Sequence, residues 1–330
     1  MTIQPLRWGL LSTARINRAL IPALRGSRRN LLSAVASRSQ EAANAYAKKW
    51  RIPRALGSYE ALINDPGIDV IYNPLPNHLH AEWTIKALQA GKHVLCEKPL
   101  ALSASDVDEM AAAAKEAGRA LTEAFMYRHH PQTLKVQELV SKGVLGELRL
   151  IRGAFTFVFT REDNYRFKKE MGGGSLWDVG CYPINYARTL VGAEPLEVFG
   201  WQVLGPGGCD ETFAGQMRFR GDVLAQFDSS FRSSYRAEME IVGSRAGLRI
   251  TNPFKPGRRE TLLLQRDGRQ EKIHIRSSGA LYGGEVEDLA DAILLGKAPR
   301  VSLADSRGNV AAITALAESA QAGKPIRLAR

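Results

Sequence analysis

Lys98 stands in the stretch GKHVLCEKPLALS, where an apolar run, His93 to Cys96, gives way to Glu97-Lys98-Pro99. A charge at the end of a buried strand needs a partner or a task. Beside a hydride-transfer centre, a lysine stabilises a carbonyl or alkoxide oxygen and lowers the pKa of a neighbouring hydroxyl acid. Pro99 fixes the backbone that follows, and either isomer is open to the Lys98-Pro99 bond. A second stretch, WGLLSTARINR, sets Ser12, Thr13, Ala14, Arg15 and Ile16 between an apolar run and a helical pattern, where a nucleotide-binding fold has its phosphate turn. Ser12, Ala14 and Asn17 replace the glycines of G-x-G-x-x-G. Ser and Ala are small enough to keep the turn, and the helix N-terminus still offers N–H groups to a phosphate. The next apolar run ends in Ser37-Arg38, with no acid before Glu41. A carboxylate there would accept a hydrogen bond from a ribose 2′-hydroxyl, whereas a hydroxyl and a guanidinium suit a 2′-phosphate, which favours NADP over NAD. The competing reading of Arg38 is a solvated residue opening a helix.

These groups need a frame, and the first 125 residues supply its pattern. Short apolar runs (Leu6 to Leu11, Leu31 to Ala36, Val70 to Asn73, His93 to Cys96, Ala120 to Ala124) alternate with helical stretches at Arg15 to Leu24, Gln40 to Trp50, His78 to Ala90 and Ala104 to Ala117. That alternation predicts a parallel sheet wound with helices. Ser103 is the expected N-cap of the last helix, and Gly91 and Gly118 fall just past two helix ends. Beyond residue 125 the rhythm changes. A helix near Thr133 to Ser141 and another after Gly172-Gly173-Gly174 interrupt a series of alternating strands between Glu147 and Ile275, and helices at Tyr282 to Leu295 and Leu303 to Ala322 close the chain. The fold class is α/β in two domains: residues 1–124 as a doubly wound dinucleotide-binding domain, and 125–330 as a substrate-binding and oligomerisation domain on a large, mostly antiparallel sheet. The terminal helix is expected to pack back on the first domain.

Composition narrows the function classes. At 330 residues, 45% hydrophobic and 24% charged, the chain has the makings of two cores. No leader pattern and no run of about 20 apolar residues is written in it, so a cytoplasmic protein without membrane contact is expected. The net charge of +11 comes from scattered Lys and Arg with no nucleic-acid-binding motif beside them; it reads as a solvated surface with a mild attraction for anionic ligands. Cys96, Cys181 and Cys209 are odd in number and far apart, which predicts free, buried thiols. The adjacent His129 and His130 cannot easily share one ion and have no acid or Cys at ligand spacing, so no metal is expected.

Taken in order and spacing, the N-terminal turn, NPLPNHLHAEWTIKALQAGKHVLCEKPLALS and GGGSLWDVGCYPINYAR resemble the glucose-fructose oxidoreductase and inositol dehydrogenase (Gfo/Idh/MocA) family over nearly the whole chain. The similarity is greatest to the branch holding NADP-dependent aldose dehydrogenases, sugar ketoreductases and dihydrodiol dehydrogenases. The resemblance implies a Rossmann domain, a C-terminal domain with an open-faced sheet, and reversible hydride transfer at a carbon bearing a hydroxyl or carbonyl. It makes Lys98 the catalytic lysine and runs Leu75, Pro76, Asn77 and His80 along the cofactor. Tyr165-Arg166 resembles an aromatic-Arg pair that reaches the cofactor, and Tyr282 a residue near the nicotinamide. Where many members have Asp and His four residues apart, this chain has Asp178 and Tyr182, as do the members that use tyrosine. Spacing i, i+4 puts both on one helix face. A neutral Tyr182 would donate a proton to a developing alkoxide; in the other direction it needs a cation such as Lys98 to lower its pKa from about 10. Asn185, one turn on, and Tyr127, just past the strand ending at Ala124, are further substrate candidates. The implied partners are a carbohydrate or polyol and a second copy of the chain, in a homodimer or homotetramer joined through the sheet. A trans-dihydrodiol dehydrogenase and a non-catalytic NADP-binding sensor are the alternatives.

Overall fold

Strands whose side chains are apolar on both faces are stable only when covered on both sides, and the first third of the chain meets that condition with helices. In the computed structural model, which describes residues 4–160 and 163–328, β1 (Leu6–Leu11), β2 (Asn30–Ala36), β3 (Arg54–Leu56), β4 (Val70–Asn73), β5 (His93–Glu97) and β6 (Leu121–Ala124) form one sheet. The order is β3-β2-β1-β4-β5-β6 and every pairing is parallel. The helices are α1 (Asn17–Gly26), α2 (Gln40–Trp50), α3 (Tyr59–Ile63), α4 (His80–Gln89) and α5 (Ala104–Ala117). Trp8, Leu10, Val35, Ile71, Tyr72 and Leu95 are fully buried, and the Trp8 indole donates to Asn30 Oδ1 at 2.7 Å. β1 and β4 are neighbours, so the order reverses between them and the carboxyl ends of β1, β2, β4 and β5 flank the switch point where such sheets hold ligands. β3 and α3 are not legible in the sequence pattern. At three and five residues they are too short to show a period.

Among the described residues the second sheet has nine strands. After α6 (Pro131–Ser141) come β7 (Leu148–Thr156), α7 (Cys181–Val191), β8 (Glu197–Leu204), β9 (Asp210–Arg218), β10 (Leu224–Ser230), β11 (Arg236–Gly243), β12 (Gly247–Ile250), β13 (Arg259–Arg266) and β14 (Arg269–Arg276). Helices α8 (Gly283–Leu295) and α9 (Leu303–Ala322) follow, then β15 (Ile326–Arg327), a two-residue strand absent from the sequence reading. The order is β14-β13-β12-β11-β7-β10-β9-β8-β15; β7 and β10 run parallel and the other pairs antiparallel. Asp267 and Gly268 both have positive φ, 50° and 72°, which matches the twist of the tight β13–β14 hairpin.

The chain divides into two compact units, Met1–His129 with Gly279–Arg307, and His130–Ser278 with Gly308–Arg330. The change of pattern in the sequence puts the boundary between residues 124 and 125. Within the first unit, α8 is fastened to the turn between α1 and β2 by Arg29, which pairs with Glu287 and, at 2.5 Å, with Asp291. The three cysteines are free and buried. Among the described residues no helix is long and apolar enough to cross a membrane.

Candidate active site

In the first unit the turn after β1 keeps its shape without glycine. Ser12 lies at φ 138°, a conformation that glycine ordinarily supplies. Its Oγ accepts the Ala14 N–H at 3.2 Å, and its carbonyl accepts the buried Asn17 side-chain amide at 2.8 Å. Asn17, at the position of the third glycine, thus ties the turn shut. α1 starts at Asn17 rather than Arg15, with Ile16 as its N-cap, no side-chain cap bond and no acid in the first turn. Helices α2, α3 and α5 differ: Ser39, Ser58 and Ser103 cap them and each has an acid in its first turn. The amino end of α1 therefore keeps its positive dipole uncompensated, beside the small, partly exposed Thr13 and Ala14 and the exposed Arg15. Ser37 and the exposed Arg38 lie between the end of β2 and the Ser39 cap. Burial raises the Tyr59 phenol above its ordinary value, and the nearby Arg38 charge draws it back.

The loop after β4 and the turn after β5 are locked together. Lys98-Pro99 is a cis peptide. Glu97 is buried; its Oε1 accepts the Tyr72 hydroxyl at 2.5 Å and its Oε2 the Lys98 N–H at 3.3 Å. The Pro99 carbonyl lies 2.8 Å from Nδ1 of His80, and the Leu100 N–H donates to Glu123 Oε1 at 2.9 Å. So Glu97, His80 and Glu123 each hold one main-chain group of the three-residue turn bearing Lys98. His80 Nε2 lies 2.8 Å from the Leu75 carbonyl, and burial pulls the ring's pKa down to about 4. The structure thus places His80 inside the unit as a brace, while Leu75, Pro76 and Asn77 occupy the loop at the carboxyl end of β4. Tyr282, the N-cap of α8, is buried near Glu97, and burial raises its pKa. Glu285, one turn along, is 1% exposed, and among the described residues no hydrogen-bond partner meets either carboxyl oxygen. Burial and the Glu97 charge drive it well above the ordinary carboxyl value. Tyr127 is fully buried, with its ring 5.8 Å from Phe125, edge to face.

In the second unit the Gly172-Gly173-Gly174 run leads into a π-type turn, Leu176–Gly180, which continues as α7. The helix expected here does form, but Asp178 sits on a stretch with i→i+5 bonding rather than on regular α-helix. Apolar residues on every side leave no period from which to read this. Tyr182 lies in the first turn of α7, its ring centroid 5.5 Å from both Phe155 and Phe254. Asn185 is fully buried, and its carbonyl accepts the Thr189 hydroxyl at 2.7 Å. Asp178 Oδ2 accepts Nε of Arg166 at 2.8 Å, and the Arg166 guanidinium lies 4.8 Å from the Tyr165 ring centre. Arg166, grouped with the cofactor residues on sequence grounds, is here the partner of Asp178. Sequence reasoning missed Tyr72, Glu123 and Glu285. Tyr72 and Glu123 carry one local signal, a polar group within a short buried strand, whereas Glu285, followed by Glu287 and Asp288, carries none. Among the described residues no three or more His, Cys, Asp or Glu side chains gather where they could hold a metal ion.

Comparisons with known proteins cover parts of both units. The model of the oxidoreductase family with an NAD-binding Rossmann fold, GFO_IDH_MocA, matches residues 6–125, and the GFO/IDH/MocA C-terminal domain matches residues 133–249. The chain is 35% identical over 328 residues to D-xylose 1-dehydrogenase (NADP(+)) 2 of Haloferax volcanii, covering 98% of this chain and 100% of that one. It is 32% identical to trans-1,2-dihydrobenzene-1,2-diol dehydrogenase of Xenopus laevis, covering 91% and 93%. Among solved structures, a 3-ketoreductase from Actinomadura kijaniata in complex with NADP and TDP-benzene superposes with a TM-score of 0.90 at 30% identity, covering 96% and 98%. An aldose-aldose oxidoreductase from Caulobacter crescentus complexed with glycerol gives 0.92 at 26%, covering 98% and 100%.

Proposed function

The chain belongs to the Gfo/Idh/MocA oxidoreductase family, and from that premise we propose that it moves a hydride between NADP(H) and a hydroxyl or carbonyl carbon of a sugar or similar polyol. The observation that carries the reading is the turn bearing Lys98: Glu97, His80 and Glu123 fix its main chain at the carboxyl end of β5, so the lysine is presented from a rigid base. Several features support the cofactor. The uncapped amino end of α1, free of acids and next to a Ser12 that holds the glycine conformation, suits a pyrophosphate. Ser37 and the exposed Arg38 suit a 2′-phosphate, and the Haloferax and Actinomadura relatives are named with NADP. Bound there, the nicotinamide supplies or accepts the hydride.

The chain's own residues do the rest. Lys98 orients and polarises the reacting oxygen, Tyr182 moves its proton, and Asp178, aligned by Arg166, holds substrate hydroxyls. Lys98→Ala and Tyr182→Phe should each lower kcat by about 10²- to 10⁴-fold with NADPH binding kept. Near-normal turnover in both variants would overturn these assignments. A trans-dihydrodiol is the second reading, supported by the 32% identity to the trans-1,2-dihydrobenzene-1,2-diol dehydrogenase of Xenopus laevis. Turnover with NADP⁺ over D-xylose, other aldoses and trans-1,2-dihydrobenzenediol separates the two, and NADPH binding without turnover of any would leave a sensor instead.

The open face of the nine-stranded sheet supports a homo-oligomer. Phe199, the 65% exposed Trp201 and Val203 follow one another at every second position of β8, beside a concavity of about 750 Å³. Arg152–Glu240 and Arg236–Asp228 pairs cross the same face. An apolar strip edged by both signs of charge suits a second copy of itself.

A further inference from the structure

Asp210, the first residue of β9, is a buried carboxylate in the second unit that the proposed chemistry does not use. Its Oδ2 accepts the Ser175 hydroxyl at 2.6 Å and the Leu176 N–H at 2.8 Å. Those donors are the entrance to the π turn carrying Asp178. Among the described residues the side chain of Ser175, the N-cap residue, makes no cap bond to its own helix; its hydroxyl goes to Asp210 and also lies 3.1 Å from the Ser229 hydroxyl on β10. On the other side, a Cβ on Gly174 would stand 2.3 Å from Asp210 Oδ1, and Gly174 has φ 117°, so only glycine fits.

Two chains of contact run from this point. The Gly174 N–H donates to the Arg166 carbonyl at 2.8 Å, and the thiol of Cys209, next to Asp210, donates to the same carbonyl at 3.5 Å. The Gly174 carbonyl accepts the Asp178 N–H at 3.1 Å, and Asp178 in turn holds Nε of Arg166. The turn at Tyr165–Phe167 and the turn that bears Asp178 are therefore tied to the residues around one carboxylate, the first through Gly174 and Cys209 and the second directly through Ser175 and Leu176. A local Ser, Thr or Asp could cap the helix without burying a charge from another strand. What Asp210 adds is a fixed relation between the helix start and β9 and β10, through charge-assisted bonds at the positive end of the helix. Burial raises its pKa, and the bonds from Ser175 and Leu176 draw it back.

We infer that Asp210 is a positioning residue, which holds the Asp178 carboxylate and the Arg166 guanidinium in the geometry that the substrate meets. This rests on the reading of Asp178 as the group that binds substrate hydroxyls. The test compares Asp210→Ala, Asp210→Asn and Ser175→Ala with Asp178→Asn and with the Asp178→Asn/Asp210→Ala pair, in the full chain with NADP⁺ and D-xylose or the best sugar of the panel. Asp210→Ala should raise the sugar KM and lower kcat/KM at least about tenfold, with the NADPH Kd within about twofold. Asp210→Asn, which keeps an oxygen acceptor in place, should stay within about threefold of wild type, and Ser175→Ala should fall between. The double variant should be within about twofold of Asp178→Asn alone, because a residue that acts through Asp178 has nothing left to position. Additive losses, or wild-type kcat/KM in Asp210→Ala, overturn the inference. If Asp210→Ala does not fold, Ser175→Ala replaces it in the same cycle and is judged by the same criterion. Wild-type kinetics in Asp178→Asn would defeat the underlying reading and the inference with it, whereas a loss there with none at Asp210 defeats the inference alone.

Discussion

The charge state of His80 gives the clearest quantitative test of how the first unit is built. The ring is fully buried between the Leu75 and Pro99 carbonyls, and burial lowers its pKa from 6.5 to about 4. At pH 7 it is neutral and donates to one carbonyl only. On unfolding it regains a pKa near 6.5, so between pH 6.5 and about 4 the unfolded chain binds more protons than the folded one. Stability is then fully present above pH 6.5, falls as the pH drops through that window, and levels off below it. The span from 6.5 to about 4, at about 1.36 kcal/mol per pH unit, amounts to about 3 kcal/mol. His93, at about 4, and His129, at about 3, are displaced in the same direction, so a wild-type curve alone does not isolate His80. His80→Gln does, because the amide donates a hydrogen bond without titrating. Urea unfolding at steps from pH 7 to 4 should show wild type losing up to about 3 kcal/mol more than the variant. Parallel curves would refute the reasoning. So would ¹⁵N spectra showing both ring nitrogens protonated at pH 7, since the two carbonyls would then be holding an imidazolium.

Other outcomes follow from single groups. Arg38→Ala should weaken NADPH binding by roughly 10- to 100-fold, the worth of about 1.5–3 kcal/mol for charged hydrogen bonds, and leave NADH unchanged; equal losses for both would remove Arg38 from the 2′-phosphate site. Gly174→Ala forces a Cβ against Asp210 at φ 117° and should cost at least about 2 kcal/mol in urea unfolding, with unaltered stability as the contrary result. Trp201→Arg puts a charge on the exposed strip of β8 and should shift the mass seen by light scattering toward monomer while the circular dichroism stays the same; an unchanged mass would argue against assembly through this face.

The sequence by itself determined the elements whose pattern is local. Runs such as Leu6 to Leu11 and Val70 to Asn73 announce buried parallel strands, because burial on both faces demands apolar residues at most successive positions, with Arg7 and Asn73 the exceptions in these two. The alternating strands of the second half were legible for the complementary reason: a sheet with one covered face leaves a period of two. The place of Lys98 at the end of β5 followed from the same reading, as did the turn at Ser12, although the φ of 138° there did not. Short pieces such as β3 left no period to read, and the π turn under Asp178 lies in a segment buried too evenly to show one.

Only the tertiary structure decided the partners. His80 reaches the Pro99 carbonyl across 19 residues, Glu123 the Leu100 N–H across 23, and Asp210 the Ser175 hydroxyl across 35. The pairing of Arg166 with Asp178 belongs with them, though it spans only 12 residues, because it depends on how the glycine run folds back. Burial and strand propensity are properties of neighbouring residues and so are written along the chain. A hydrogen bond between distant side chains depends on sheet register and on the path of the loops, and these are fixed only when the whole unit packs.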